Sequence, residues 1–431
     1  MIFGLSLVWL VYLSVVLLYR YYMNKCLFLF LPFTFLFSTV CSAQSLVNEI
    51  EKTSFESDTS RQRDLIDIGR EILDIRPPEG QKSTGKKMYF SFLPFSTSVP
   101  GGGTALITST TAGFYLGDRS DTYLSQVTFT PYTNFGKRFG FPIRSYVWLK
   151  ENKWVIDGDI RWLKYPHETW GLGTEHGSDE NINLDYTYVR FYQHILKRIR
   201  GGFFMGMGYD LDYRVNIRSK SDQSLADFTG YSWGTSEAGS SVSSGLSLNL
   251  IFDTRSNSIN TLDGNYANLQ FRINPTFMGS SDNWSSLYME VRKYYRLTDD
   301  FNKQNMLAFR NFFWTVFNSK TPYLDLPNLS WDPYNSSGRG LPLSRYRGKS
   351  LYYLEGEYRR DITTNGLLGF VVFANATTVS GPKSTLFGNW NLATGAGARI
   401  KFNKASGTNI AIDYGFSKGY RGLSLGLGEV F

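Results

Sequence analysis

An alternation of apolar and polar residues with a period of two starts near Met88 and continues to Phe431, and it limits the possible folds more than any other feature. Ile410, Ile412, Tyr414 and Phe416 alternate with Asn409, Ala411, Asp413, Gly415 and Ser417. Leu269, Phe271 and Ile273 alternate with Asn268, Gln270, Arg272 and Asn274. A strand sends successive side chains to opposite faces, so each run predicts a strand with one greasy and one polar face. A soluble sandwich would bury the greasy face, whereas a membrane barrel turns it to lipid and lines its lumen with the polar one. The polar faces carry opposed charges, as in Glu290/Arg292 and Glu355/Glu357/Arg359, and aromatics such as Trp284, Trp390 and Tyr414 sit near run ends. The runs span about 10–14 residues, enough to cross a bilayer at a tilt. These features favour the barrel.

Counting runs over 88–431 predicts an all-β chain, a transmembrane antiparallel β-barrel of about sixteen strands, two of them near 123–132 and 138–150. Connections at 151–153, 198–200, 363–366 and 403–407 are tight, and those at 166–181, 216–241, 319–349 and 378–389 are long. Short turns on the periplasmic side and long loops outside are usual for such barrels.

The first 43 residues differ. Asn24-Lys25, the apolar run Cys26–Phe37 and the small pair Ser42-Ala43 form a secretory signal over 23–43 with cleavage after Ala43. Residues 1–22 add a second apolar run, which fits either a membrane helix of about 18 residues or sequence upstream of a true start at Met23, the reading favoured because a barrel precursor does not need two consecutive apolar helices. Val40 before Cys41 argues against lipidation. Residues 44–87 read as a short periplasmic segment with one helix between Asp64 and Asp74, and Lys82, Lys86 and Lys87 belong at the membrane surface. Both cysteines, Cys26 and Cys41, lie in the leader, so disulfides, thiolate catalysis and cysteine metal sites drop out of the exported chain. The net charge of +8 falls by two with Arg20 and Lys25. An exported chain makes nucleic acid an improbable partner for the remaining basic charge.

Four motifs then carry a family resemblance: Phe252-Asp253-Thr254-Arg255 with Gly264 and Tyr266; Gly338-Arg339-Gly340-Leu341 through Arg345-Tyr346-Arg347; Glu357-Tyr358-Arg359; and Leu425-Gly426-Leu427-Gly428-Glu429-Val430-Phe431. Over 245–431 the chain resembles the BamA/TamA-like bacterial surface antigen family of outer-membrane barrels, without its periplasmic POTRA repeats. The resemblance implies that the loop between strands eleven and twelve folds into the lumen, with Arg339, Gly340 and Leu341 at its tip and Arg345 and Arg347 behind. It implies wall partners Glu355, Glu357 and Asn375, and a terminal-strand assembly signal in Leu425, Leu427 and Phe431. Leu341 stands where the family has Tyr or Phe, and Asn375 where it has Asp, so either the lock between loop and wall is weaker or Glu357 supplies the charge to Arg339.

Other constellations are weaker. His167, Glu168 and His176 share a loop without the fixed spacing of a metal site, and His194 has no suitable serine. The expectation is a barrel with no enzymatic role and no cofactor, placed in the outer membrane. It would assist insertion or translocation of proteins or lipids by opening between its first and last strands. Its partners would be outer-membrane lipid and either assembly machinery or a periplasmic protein. A solute pore and an accessory subunit of a larger outer-membrane complex are the alternatives.

Overall fold

The computed structural model describes residues 61–75, 88–98, 104–134, 138–164, 167–174, 176–177, 179–255, 257–300, 303–332 and 336–431. The leader and Lys82, Lys86 and Lys87 lie outside the described residues. Helix α1 (Leu65–Ile72) forms where the helical patch was expected, and Asp64 caps it in a box with Asp67.

Among the described residues nineteen antiparallel strands then form one sheet. They are β1 (Met88–Ser98), β2 (Thr104–Phe114), β3 (Ser125–Phe129), β4 (Tyr132–Thr133), β5 (Phe139–Gly140), β6 (Ile143–Trp148), β7 (Trp154–Lys164), β8 (His167–Thr169), β9 (Ile182–Arg200) and β10 (Phe203–Ser219). Helix α2 (Leu225–Thr229) precedes β11 (Gly239–Asp253), β12 (Gly264–Asn274), β13 (Trp284–Arg296), β14 (Asn305–Val316), β15 (Ser350–Asp361), β16 (Leu368–Val379), β17 (Asn391–Asn403), β18 (Thr408–Ser417) and β19 (Tyr420–Leu427). From β9 onward each strand pairs with the next.

Nineteen exceeds the expected count for local reasons. Pro131 separates β3 from β4, and Pro142 separates β5 from β6. Proline has no N–H to give a ladder. Both carbonyls still accept, Pro131 from Thr108 N at 3.0 Å and Pro142 from Thr130 N at 3.2 Å. β8 arises inside an expected loop because the start of β9, Ile182–Leu184, gives His167–Thr169 an edge to pair with.

The sheet curls so that its first and last strands come close together. β1 lies beside β19 and β17, and Asn403 on β17 reaches Phe90 O at 3.5 Å. Among the described residues no ladder joins β1 to β19; β1 pairs with β2, and β19 with β18.

Polarity is inverted relative to a soluble protein. Phe90, Trp162, Ile195, Met207, Phe271, Phe309, Val372 and Leu423 are exposed, while Arg161, Asp212, Arg272, Glu290, Arg310, Glu357 and Arg359 on the opposite faces are buried. Charged residues are almost never buried unless paired, and here they pair across the interior, as the next section describes.

Candidate functional site

Loop 317–349, between β14 and β15, enters the curled sheet and is held there by charge. Arg339 at its tip is buried and pairs with Glu355 and Glu357 on β15 through Nη2. Its Nε donates to Glu355 Oε1 at 3.0 Å and its Nη1 to Asp413 on β18 at 2.8 Å. The guanidinium lies 3.9 Å from the centre of the Phe373 ring on β16. Asn375 Nδ2 donates to the Arg339 carbonyl at 2.8 Å, so Asn375 fixes the tip backbone and leaves the charge alone. Asp413 supplies what Asn375 does not; the sequence placed Asp413 on a polar strand face but gave no sign that it lay opposite the loop.

The tip also needs two glycines. Gly340 has φ +81°, and its backbone lies against Gly415 so closely that a Cβ on Gly415 would stand 2.7 Å from Gly340 Cα. Gly338 N donates to Tyr353 OH at 3.0 Å, and Tyr353 OH donates to Glu355 Oε2 at 2.7 Å. Leu341 packs with Tyr288, Phe312, Leu329, Tyr346 and Tyr353, an apolar seat that a leucine fills without a phenol partner.

Two further latches were not legible as partners from the sequence. Asp325 accepts from Arg214 Nη1 on β10 at 2.5 Å and from Ser243 Oγ on β11 at 2.6 Å. Asp332 accepts from Arg310 Nη2 on β14 at 2.9 Å and from Ser337 N at 3.1 Å. Burial alone would raise the Asp332 carboxyl, but Arg310 and the Ser337 bonds outweigh it and hold it down at about 2. Arg347 is buried behind the tip, donates to Tyr323 O at 2.8 Å and lies 4.7 Å from that ring's centre. Arg345 is half-buried and donates to His176 O at 2.6 Å.

The charges continue around the wall. Arg359 Nε donates to Glu357 Oε2 at 2.5 Å, and Arg399 joins Asp413 at 2.6 Å and Glu429 at 2.8 Å. On the far wall Arg272 meets Asp212 at 2.7 Å, and His194 sits between Asp210 at 2.8 Å and Asp157 at 3.4 Å. One small chamber of about 50 Å³ is lined partly by Arg190, Arg272, Trp284, Trp314 and Trp331. That suits a few ordered waters, since one water needs roughly 10–15 Å³.

The terminal segment departs from the expected strand. β19 ends at Leu427, Gly428 takes φ +92°, and Phe431 turns inward. Phe431 is buried beside Tyr294, Met306 and Ala308, and its O accepts from Arg359 Nη2 at 2.9 Å. Leu425 and Leu427 stay on β19, opposite Ile412 and Ile410. His167 is buried against Tyr186 OH at 3.0 Å, and no metal-holding group of acids, histidines and cysteines occurs among the described residues.

No protein-family profile and no curated protein matches the chain. Solved structures do. BamA from Haemophilus ducreyi lacking POTRA domains 1–3 is similar over 79% of this chain and 70% of that one, at 11% identity and TM-score 0.49. CdiB from Acinetobacter baumannii is similar over 79% of this chain and 60% of its own, at 11% identity and TM-score 0.48. Pseudomonas aeruginosa OccK11 is similar over 78% of this chain and 90% of its own, at 10% identity and TM-score 0.27.

Proposed function

We propose that the chain is a BamA/TamA-like barrel of the bacterial outer membrane that assists insertion or translocation of proteins or lipids by opening between its first and last strands. The inverted polarity supports the membrane placement. Lipid offers no partner for backbone groups, so a spanning sheet must roll up, and water would not tolerate so continuous an apolar exterior.

One observation carries the mode of action. The interior is filled by latched loop and paired charge, while the first and last strands lie side by side without a ladder. Each backbone hydrogen bond left unmade at that seam lowers the work of parting it. Gly422 and Gly426 on β19 add little side-chain packing there. A solute pore fits the filled interior poorly. Arg339 with Glu355, Glu357 and Asp413 is the lock that keeps the loop in place while the wall moves. The partners on this reading are outer-membrane lipid and a client or periplasmic protein.

Depleting the protein and measuring the outer-membrane proteome tests this. A defined subset of outer-membrane proteins should fall in abundance; an unchanged proteome and lipid asymmetry would contradict the assignment.

A further inference from the structure

At the end of the sheet opposite loop 317–349 a different segment turns inward. The turn between β11 and β12 is set by Asp253 and Arg255, which pair bidentately at 2.9 and 2.7 Å, with the Arg255 guanidinium 4.3 Å from the centre of the Tyr266 ring. Beyond that clamp residues 257–262 turn inward and cross the barrel. Asn257 Nδ2 donates to Ser406 O at 2.9 Å and Asn260 Nδ2 to Gly407 O at 3.2 Å, both in the turn between β17 and β18. Six strands, β12 to β17, separate the two turns along the wall, so these bonds bridge the opening. Ile259 is buried against Tyr89 of β1 and Leu124, and its carbonyl accepts from Glu429 N at 3.3 Å. Gln304 Nε2 donates to Asn260 Oδ1 at 3.0 Å, and Leu262 packs on the Phe431 cluster. One short segment thus touches the wall on several sides.

The turn it grips is held from its other side by α1. Lys404 N donates to Asp64 Oδ2 at 2.8 Å, and Lys404 Nζ donates to Gln62 O at 3.0 Å and Asp67 Oδ2 at 2.6 Å. Arg63 N donates to Asn365 O at 3.0 Å in the neighbouring turn.

We propose that residues 257–262 form a second gate, independent of loop 317–349, and that α1 is its handle: displacing α1 frees the 404–407 turn and releases the gate. Passage through the lumen then requires both gates to move. The grip is asparagine amides on backbone carbonyls, with apolar contacts at Ile259 and Leu262. It carries no ion pair, so it can release without stranding a buried charge. This inference rests on the membrane placement proposed above.

Planar-bilayer recording of the full chain tests it, with loop 317–349 shortened, with 257–262 shortened, and with both. Long-lived openings should appear only when both are shortened. A chain that inserts and conducts as well with the loop alone shortened overturns the second gate and leaves the barrel standing; a chain that never inserts overturns both. A second measurement avoids deletions. In the Cys26→Ser/Cys41→Ser chain, the Asn257→Cys/Ser406→Cys pair should cross-link in membranes with a short bifunctional thiol reagent, and adding Lys404→Ala should reduce the yield. Failure to cross-link would overturn the gate, and a yield indifferent to Lys404→Ala would overturn the handle.

Discussion

A buried guanidinium is stable only when its charge and donors are met, and removing one member of such a set leaves the others stranded at a cost of about 3–5 kcal/mol. Arg339 faces Glu355, Glu357 and Asp413. Arg339→Ala should leave the barrel inserted but lower its stability in detergent by an amount in that range, read as a lower unfolding temperature, and Arg339→Lys should recover only part, because an ammonium cannot reproduce the fork. An unchanged melting curve would refute the lock. Asp332 gives a pH signature. Its folded carboxyl is depressed to about 2 from an ordinary 3.8, so its contribution is present above the ordinary value and is lost as pH falls through the folded one. Loop 317–349 should therefore become protease-sensitive between about pH 4 and pH 2, and Asp332→Asn should make it sensitive at neutral pH. Glu355 and Glu357 could be read as candidate partners of Arg339 because the two acids share one face of the strand that follows its loop. Asp413 and Asp325 could not be so read, because they lie 74 residues from Arg339 and 111 from Arg214, separations that only the tertiary fold bridges.

Among the elements, the strands were legible wherever alternation met no proline. β12 and β18 fall where the period-two runs placed them. β3 to β6 fragment because Pro131 and Pro142 withdraw donors at neighbouring positions, a tertiary coincidence that separate runs do not announce. The inward turn of Phe431 was equally hidden, since Gly428 reads as another small residue of the alternation until its φ of +92° redirects the chain. Backbone contact between Gly340 and Gly415 makes a sharp test. Gly415→Val should expel the loop tip and raise protease cleavage within 317–349 as much as Arg339→Ala does; resistance equal to the parent chain would count against the seating. Helix α1 is attached through Lys404, a partly exposed group, so Lys404→Ala should cost the barrel no more than about 1 kcal/mol while raising cleavage of the 61–75 segment. A large fall in barrel melting temperature would mean that α1 is an integral part of the fold.

For the whole molecule, burial of charge and exposure of apolar side chains are two consequences of one choice of surroundings. In water the outward Phe271 and Ile273 would drive association, while in lipid they are at home and the charged interior is what needs pairing. The interior pairing is dense, and both mouths are packed, one by loop 317–349 and the other by 257–262 with the terminal segment. Such a body suits work done along its wall. The claim beneath this account is that the two faces of each strand meet lipid and lumen. Nitroxide labels placed singly at Asn268, Gln270, Phe271 and Ile273 on β12, in the chain with Cys26 and Cys41 replaced by serine and reconstituted in liposomes, test it directly. The account predicts high oxygen accessibility at Phe271 and Ile273 and low accessibility at Asn268 and Gln270, a period of two along the strand; labels equally open to a water-soluble nickel chelate at all four positions would contradict it.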